Sequence, residues 1–415
     1  MKQPELPSDW RCVPLASIAD VQTGLALGKT QPVDPIRLPY LRVANVQDGY
    51  LDLREIKVVV VERSQVARYS LQHGDVLMTE GGDFDKLGRG HIWHGEIPVC
   101  LHQNHVFVVR PHSDLLSYFL ASVTSSDYGR AYFLSCSKQS TNLASINSSQ
   151  LKAFPVPLPP FREQEAITLR LSIWDRGIRQ LSDLIAAKVR FKQGLMQQLL
   201  TGQRRFKRSR GELNEVRLGD CVRFISGGTP SRDNALYWNG TTPWYSAKDL
   251  KSFYLRDSIE HITEEGASHG TRIVEPGTLL LLVRGMTLLK AFPVGITSNR
   301  SAFNQDLRAV LPKASLLAEY LGYWFLTHQD KMLSLVDLAG HGTGRLSTDR
   351  LVDLCISVPE RLEDQRAIVK CLRSFDQEID LLRKQLTVLK QQKKGLMQKL
   401  LTGEVRVTLP REQSC

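Results

Sequence analysis

One stretch of this chain occurs twice. KQGLMQQLLTGQ begins at Lys192 and KKGLMQKLLTGE begins at Lys393, 201 residues further on. The same offset carries Gln164-Glu165-Ala166-Ile167 onto Gln365-Arg366-Ala367-Ile368. Upstream the match weakens and the spacing drifts. VPLASIADVQTG from Val13 resembles VRLGDCVRFISG from Val216, and NHVFVVRP from Asn104 resembles QDLRAVLP from Gln305. A fixed period beside a drifting one describes a repeated framework with loop insertions, so the chain is predicted to fold as two copies of one unit.

The fixed part has helical periodicity. Steps of four and three from Ile167 pass through Leu171, Trp174, Ile178, Leu181, Ile185, Lys188, Lys192, Leu195 and Leu199. The same walk 201 residues on visits Ile368, Leu372, Phe375, Ile379, Leu382, Leu386, Leu389, Lys393, Leu396 and Leu400. Apolar residues at a 3.5-residue period predict two coiled-coil seams. Pro159 and Pro160 precede the first helix, and Gly202 and Gly403 follow the seams as C-terminal caps. Each helix should run about 40 residues, or about 60 Å. A stripe this long needs a covering partner, and the other copy is the simplest one. A module lies between the helices, so the chain must travel back and the helices should be antiparallel. Gly194 and Gly395 interrupt good helix formers and suggest a close helix–helix approach or a bend. The lysine shared by both seams, Lys192 and Lys393, suggests a device for register or crossing geometry.

The drifting part reads as strand-rich modules with some helix. LREIKVVVVE (53–62), HVFVVR (105–110), GTLLLLVR (277–284) and LCISVP (354–359) look like strands. LLSYFLAS (115–122) and SLLAEYLGYWFLTH (315–328) look helical, and polar glycine-rich loops lie between. The expected class is α+β: two strand-rich domains separated by two long antiparallel coiled-coil helices, a pseudo-two-fold internal repeat. The expected division is a first module over 1–157, a helix over 158–203, a basic linker over 204–215, a second module over 216–357, a helix over 358–404 and a tail over 405–415.

Charge and cysteine usage narrow the function. The net charge of +11 suits a polyanionic partner without proving one. The seven cysteines form no CxxC pair, which argues against a zinc knuckle or a disulfide framework and fits a reducing cytoplasm. No apolar run reaches the roughly 20 residues of a membrane span. Enzyme motifs are weak. Gly24 to Thr30 approximates a phosphate loop one residue short, with Lys29 as its lysine. Asp34, Glu55 and Lys57 mimic the spacing of a magnesium nuclease. His91, His94, His102 and His105 have metal-like spacing without a counterpart in the second copy. No metal site, methyl-donor loop or methyltransferase motif is expected.

A variable module, a proline-rich stop (PLPPFREQEAI, ISVPERLEDQRAI) and a helix ending in KxGLMQxLLTG, all occurring twice, resemble the specificity subunit of Type I restriction–modification systems. YWNGTTPWYSAKDL (237–250) is similar to a segment of that family's recognition modules. The resemblance implies a non-catalytic subunit that binds double-stranded DNA. Each module would be a target recognition domain reading half of a split site, with the helices fixing the spacer. It also implies docking of two modification subunits that use S-adenosylmethionine, and of restriction subunits that use ATP and magnesium. This chain itself would carry no cofactor.

Side chains able to reach base edges or phosphates are the candidates for that contact. They are Lys29, Arg42, Asn45, Lys86, Arg89, Gln139 and Asn142 in the first module. In the second they are Thr229, Ser231, Arg232, Lys248, Arg284, Lys290 and Arg345. The competing readings are a coiled-coil scaffold that binds two proteins without DNA specificity, and a self-sufficient nuclease built on Asp34, Glu55 and Lys57.

Overall fold

In the computed structural model, residues 6–26, 32–82, 87–139, 144–206, 211–339 and 342–407 are described. The chain divides into two compact units, one formed by residues 1–182 and 384–415, the other by 183–383. The long helices run Phe161–Leu200 and Leu362–Leu401, so each begins in one unit and ends in the other.

Each unit holds a module and two half-helices, and the same four sheets recur in both. In the first unit a four-stranded sheet orders Ala19–Thr23, Val106–Pro111, Val76–Thr79 and Gly90–Ile92. A three-stranded sheet orders Lys57–Glu62, Pro35–Leu41 and Leu101–His102. Arg11–Pro14 pairs with Pro155–Leu158 just before the helix. A small sheet orders Lys138–Gln139, Ala144–Ser145 and Gly81–Gly82. The run KVVVVE shows why one of these strands forms. Val59 and Val61 are buried while Val58 and Val60 are about half exposed, the period-two pattern of a strand with one solvated face.

The second unit repeats this plan with additions. Its larger sheet orders Val222–Ser226, Leu307–Pro312, Leu279–Leu282, Val294–Thr297 and Tyr254–Leu255. Another orders Glu260–Ile262, Trp238–Tyr245, Ser301–Phe303 and Arg272–Val274. Leu213–Arg217 pairs with Cys355–Pro359. The segment expected as linker therefore ends in a strand. The small sheet orders Arg284–Gly285, Thr343–Arg345 and Asp337–Ala339.

Within each unit the half-helices are antiparallel and share the module's core. Ile167 and Leu171 are buried with Leu400 and Leu401 in the first unit. Ile368 and Leu372 are buried with Met196, Leu199 and Leu200 in the second. Every seam position from Ile167 to Leu199 and from Ile368 to Leu400 is at least partly buried. The seam is thus covered by the partner half-helix and by the module together.

Two polar devices fix each helix. Buried Gln164 accepts from the Leu116 N–H at 3.0 Å and donates to the carbonyls of Asp114 and Pro159. Gln365 does the same with Leu317, Ser315 and Pro359. A fully buried amide needs such partners, and here they tie the first helical turn to the module. The seam lysines find aspartates on the facing half-helix. Lys192 Nζ lies 2.5 Å from Asp376 and Lys393 Nζ lies 2.6 Å from Asp175. Each aspartate also accepts a tyrosine hydroxyl, from Tyr323 and Tyr118 respectively. Each seam lysine thus forms an ion pair across the two half-helices of its unit.

Two expectations need correction. A Cβ added at Gly194 or Gly395 would meet nothing within 4 Å, so neither glycine serves a close helix–helix approach. Gly202 and Gly403, by contrast, take φ of 75°, the left-handed cap that a glycine adopts without strain. The segment expected as a tail also packs, over its described residues 405–407, on the first unit. Arg406 pairs with Asp9 and buried Glu163, and Val407 is buried in the first unit's core.

Candidate nucleic-acid interface

Lys29, Lys86 and Asn142 lie outside the described residues, as does most of the suggested phosphate loop. The others fall into distinct settings. Asn45 is not available to a ligand. It is buried, its Oδ1 accepts from the Arg42 N–H, and its Nδ2 donates to the carbonyls of Asp52 and Glu55. It closes a loop, which corrects its reading as a base reader. Arg42 lies above that loop and approaches Glu55 at 3.4 Å. Arg42 Nε and Arg89 Nε are buried with no hydrogen-bond partner among the described residues. Gln139 is exposed on the small sheet, with its amide turned back to the Leu134 carbonyl.

The nuclease-like triad does not assemble. The hairpin register sets Pro35 opposite Glu62 and Tyr40 opposite Lys57. Asp34 and Lys57 therefore sit at opposite ends of a hairpin about 17 Å long. Asp34 pairs with Arg63, while Glu55 is held below the usual carboxylate range by Lys57 and then Arg42. The histidines are likewise dispersed. His102 Nδ1 bonds the Val106 carbonyl inside the core, and burial pushes its pKa down. His105 bonds Glu80, while His91 and His94 have ring centroids 5.9 Å apart. Among the described residues, no three His, Cys, Asp or Glu side chains group to hold a metal.

In the second unit one cluster surrounds Arg232. Its guanidinium lies 3.8 Å from the Trp238 ring centroid and 5.0 Å from that of Trp244. Both of its terminal nitrogens donate to Glu260, whose carboxyl is held below its ordinary pKa mainly by Arg232. Arg232, Trp238 and Glu260 line an open cleft of about 600 Å³ with Asn239 and His261. Asn239 takes a φ of 62°, a left-handed conformation that asparagine tolerates better than most residues. Ser231 supplies the carbonyl for the Trp238 indole N–H, and Thr229 donates to Gln305 at 2.6 Å. Lys248 is exposed nearby, close enough to help lower Glu260. The tryptophans and Glu260 were not foreseen. The tryptophans lie in the YWNGTTPWYSAKDL segment, whereas Glu260 lies outside it and had no sequence signal.

A second cluster lies on the small sheet. Arg284 stands directly across from Arg345 in the antiparallel register, and both are exposed. Arg308 was also missed. Its guanidinium donates to the carbonyls of Gln305 and Leu307, and burial and then Arg345 lower its pKa. Lys290 is exposed at the end of the turn that follows Arg284–Gly285. The first unit's small sheet holds Gly81 and Ser145 in the matching pair, with Lys138 and Gln139 on the third strand.

A family model described as the Type I restriction modification DNA specificity domain matches residues 7–187 and 211–391, one copy on each repeat. The putative type I restriction enzyme MjaX specificity subunit of Methanocaldococcus jannaschii is 26% identical over 97% of this chain and 95% of its own. The EcoR124I/EcoR124II specificity subunit of Escherichia coli is 30% identical over 40% of this chain and 41% of its own. Among solved structures, a chain from a study of complex assembly and conformational transition of the type I R-M system shares the fold. It has a TM-score of 0.61 at 17% identity and covers 97% of this chain and 100% of that one. The Type-I restriction-modification S subunit from M. genitalium gives a TM-score of 0.56 at 16% identity, covering 96% and 99%. With both copies matched across most of its length, the chain belongs to the Type I restriction modification DNA specificity domain family.

Proposed function

We propose that the chain is a non-catalytic specificity subunit whose two units each read one half of an asymmetric, split site in double-stranded DNA. The observation that carries this is the contrast inside the repeat. The glutamine and lysine devices that seat the helices recur in both copies, whereas the matching hairpins carry different side chains, KVVVVE (57–62) on PIRLPYL (35–41) against EHI (260–262) on WNGTTPWY (238–245). A repeated frame with different faces suits two readers of different words at a set separation, so half-site spacing becomes a property of the helices. The same helices would dock two modification subunits that bring S-adenosylmethionine. Restriction subunits using ATP and magnesium would complete the nuclease. The names of the relatives, specificity subunits of type I restriction enzymes, support this division of labour.

The test lengthens the frame. Two helical turns, about seven residues, inserted into a seam should change the unread gap in the methylated site or abolish methylation by the assembled complex. An unchanged gap would refute the ruler role.

A further inference from the structure

The Arg284–Arg345 pair has an arrangement that a folded chain avoids unless something outside it answers the charge. Side chains directly opposite in an antiparallel pair have Cβ atoms roughly 5 Å apart, and like charges there are destabilising. Arg308 adds a third guanidinium beside Arg345. Neither Arg284 nor Arg345 forms an ion pair with a described residue. A carboxylate is close at hand. Asp337 is the register neighbour of Arg345 on the third strand, yet it is bonded to Arg350 at 2.7 Å. Asp306, the acid nearest Arg308, accepts from the Asn304 amide.

Several other arginines of the second unit have an acidic partner. Arg232 lies on Glu260, Arg256 on Asp380 and Arg300 on Glu264. In the first unit, Arg130, Lys393 and Lys394 are each met by an aspartate. The first unit's small sheet, on the same backbone plan, carries no arginine pair among its described residues.

We infer that the small sheet of the second unit is a phosphodiester clamp. Arg284 and Arg345 grip the backbone of the DNA, with Arg308 reinforcing the field, and the described residues of the first unit's small sheet carry no such pair. The inference rests on the DNA-reading function proposed above and adds to it: non-specific affinity is concentrated in one unit. Duplex DNA offers one negative charge about every 1.7 Å along its axis, which suits two fixed guanidinium groups side by side. Phosphate contacts position a protein without reading sequence.

The test uses the full chain assembled with its modification subunits, bearing R284Q, R345Q or both. Affinity is measured by fluorescence anisotropy over a range of salt, on a duplex carrying the mapped site and on a scrambled duplex. The double variant should lose affinity on both duplexes, and its log K against log salt slope should flatten by about 1.8, or 0.9 per lost phosphate contact. The methylated words and their gap should not change. Because the substitution relieves repulsion, the melting temperature should hold or rise. An unchanged slope, a loss confined to the mapped site, or a lowered melting temperature would overturn the clamp. Failure of the underlying function looks different, since the unsubstituted complex would then not distinguish the two duplexes at all.

Discussion

The two buried glutamines and the two small sheets occupy matching places in the repeat, but their histories differ. Gln164 and Gln365 make the same three kinds of bond, to the same loop and the same proline carbonyl. The small sheets keep their strand order and register while exchanging Gly81 and Ser145 for Arg284 and Arg345. A buried amide with every bond used cannot vary without leaving backbone groups unpaired. An exposed strand pair has no such constraint, so it is free to adapt to what lies outside. Substitutions in the frame should therefore come in matched pairs, one per unit, and substitutions on the faces should not.

The largest expected effect is at the ends of the seams. Leu171 and Leu372 are fully buried within their units' cores. Changing either to alanine should cost about 3 kcal/mol by cavity formation, measured by denaturant unfolding. Unequal losses would break the symmetry claimed for the frame. Next come Gln164→Ala and Gln365→Ala. Each strands an N–H and two carbonyls, for about 2 kcal/mol or somewhat more, and the two variants should again match.

The ion-paired lysines should give a smaller change. Lys192→Met or Lys393→Met leaves a partly buried aspartate with only its tyrosine, a loss of about 1 kcal/mol. The tyrosines add a pH signature. Burial first, and then the adjacent carboxylate, raise the pKa of both Tyr118 and Tyr323 well above the ordinary value. A raised folded-state pKa means stability that is complete below about pH 10 and lost as pH climbs above it. Tyr118→Phe and Tyr323→Phe should flatten that alkaline fall in a thermal-shift series. The smallest effect has the opposite sign. Gly194→Ala and Gly395→Ala fill open space on a helix and should stabilise by about 0.5–1 kcal/mol. Destabilisation there would restore the idea of a close helix approach.

What could be read from the sequence follows how local each feature is. The seams needed only a 3.5-residue period, and the fixed offset identified their partners. Gln164 stood in the repeated segment, but its role depends on carbonyls about fifty residues upstream, which no local pattern reveals. The aspartates facing Lys192 and Lys393 are also 201 residues apart, yet each is found only by aligning antiparallel half-helices. The candidate face was less legible. Asn45 looked like a base reader because nothing in a sequence separates a loop-closing amide from an exposed one. Arg308 was passed over inside a strand run, and the spacing of Asp34, Glu55 and Lys57 dissolved once a hairpin register separated them.

The proposed function gives one repeated frame two different readers of DNA. It is tested most directly by incubating the chain, assembled with its modification subunits, with DNA of random sequence and then sequencing the methylated positions. The account predicts two short, different words separated by a gap of constant length. A single continuous word, or a gap that varies from site to site, would contradict it.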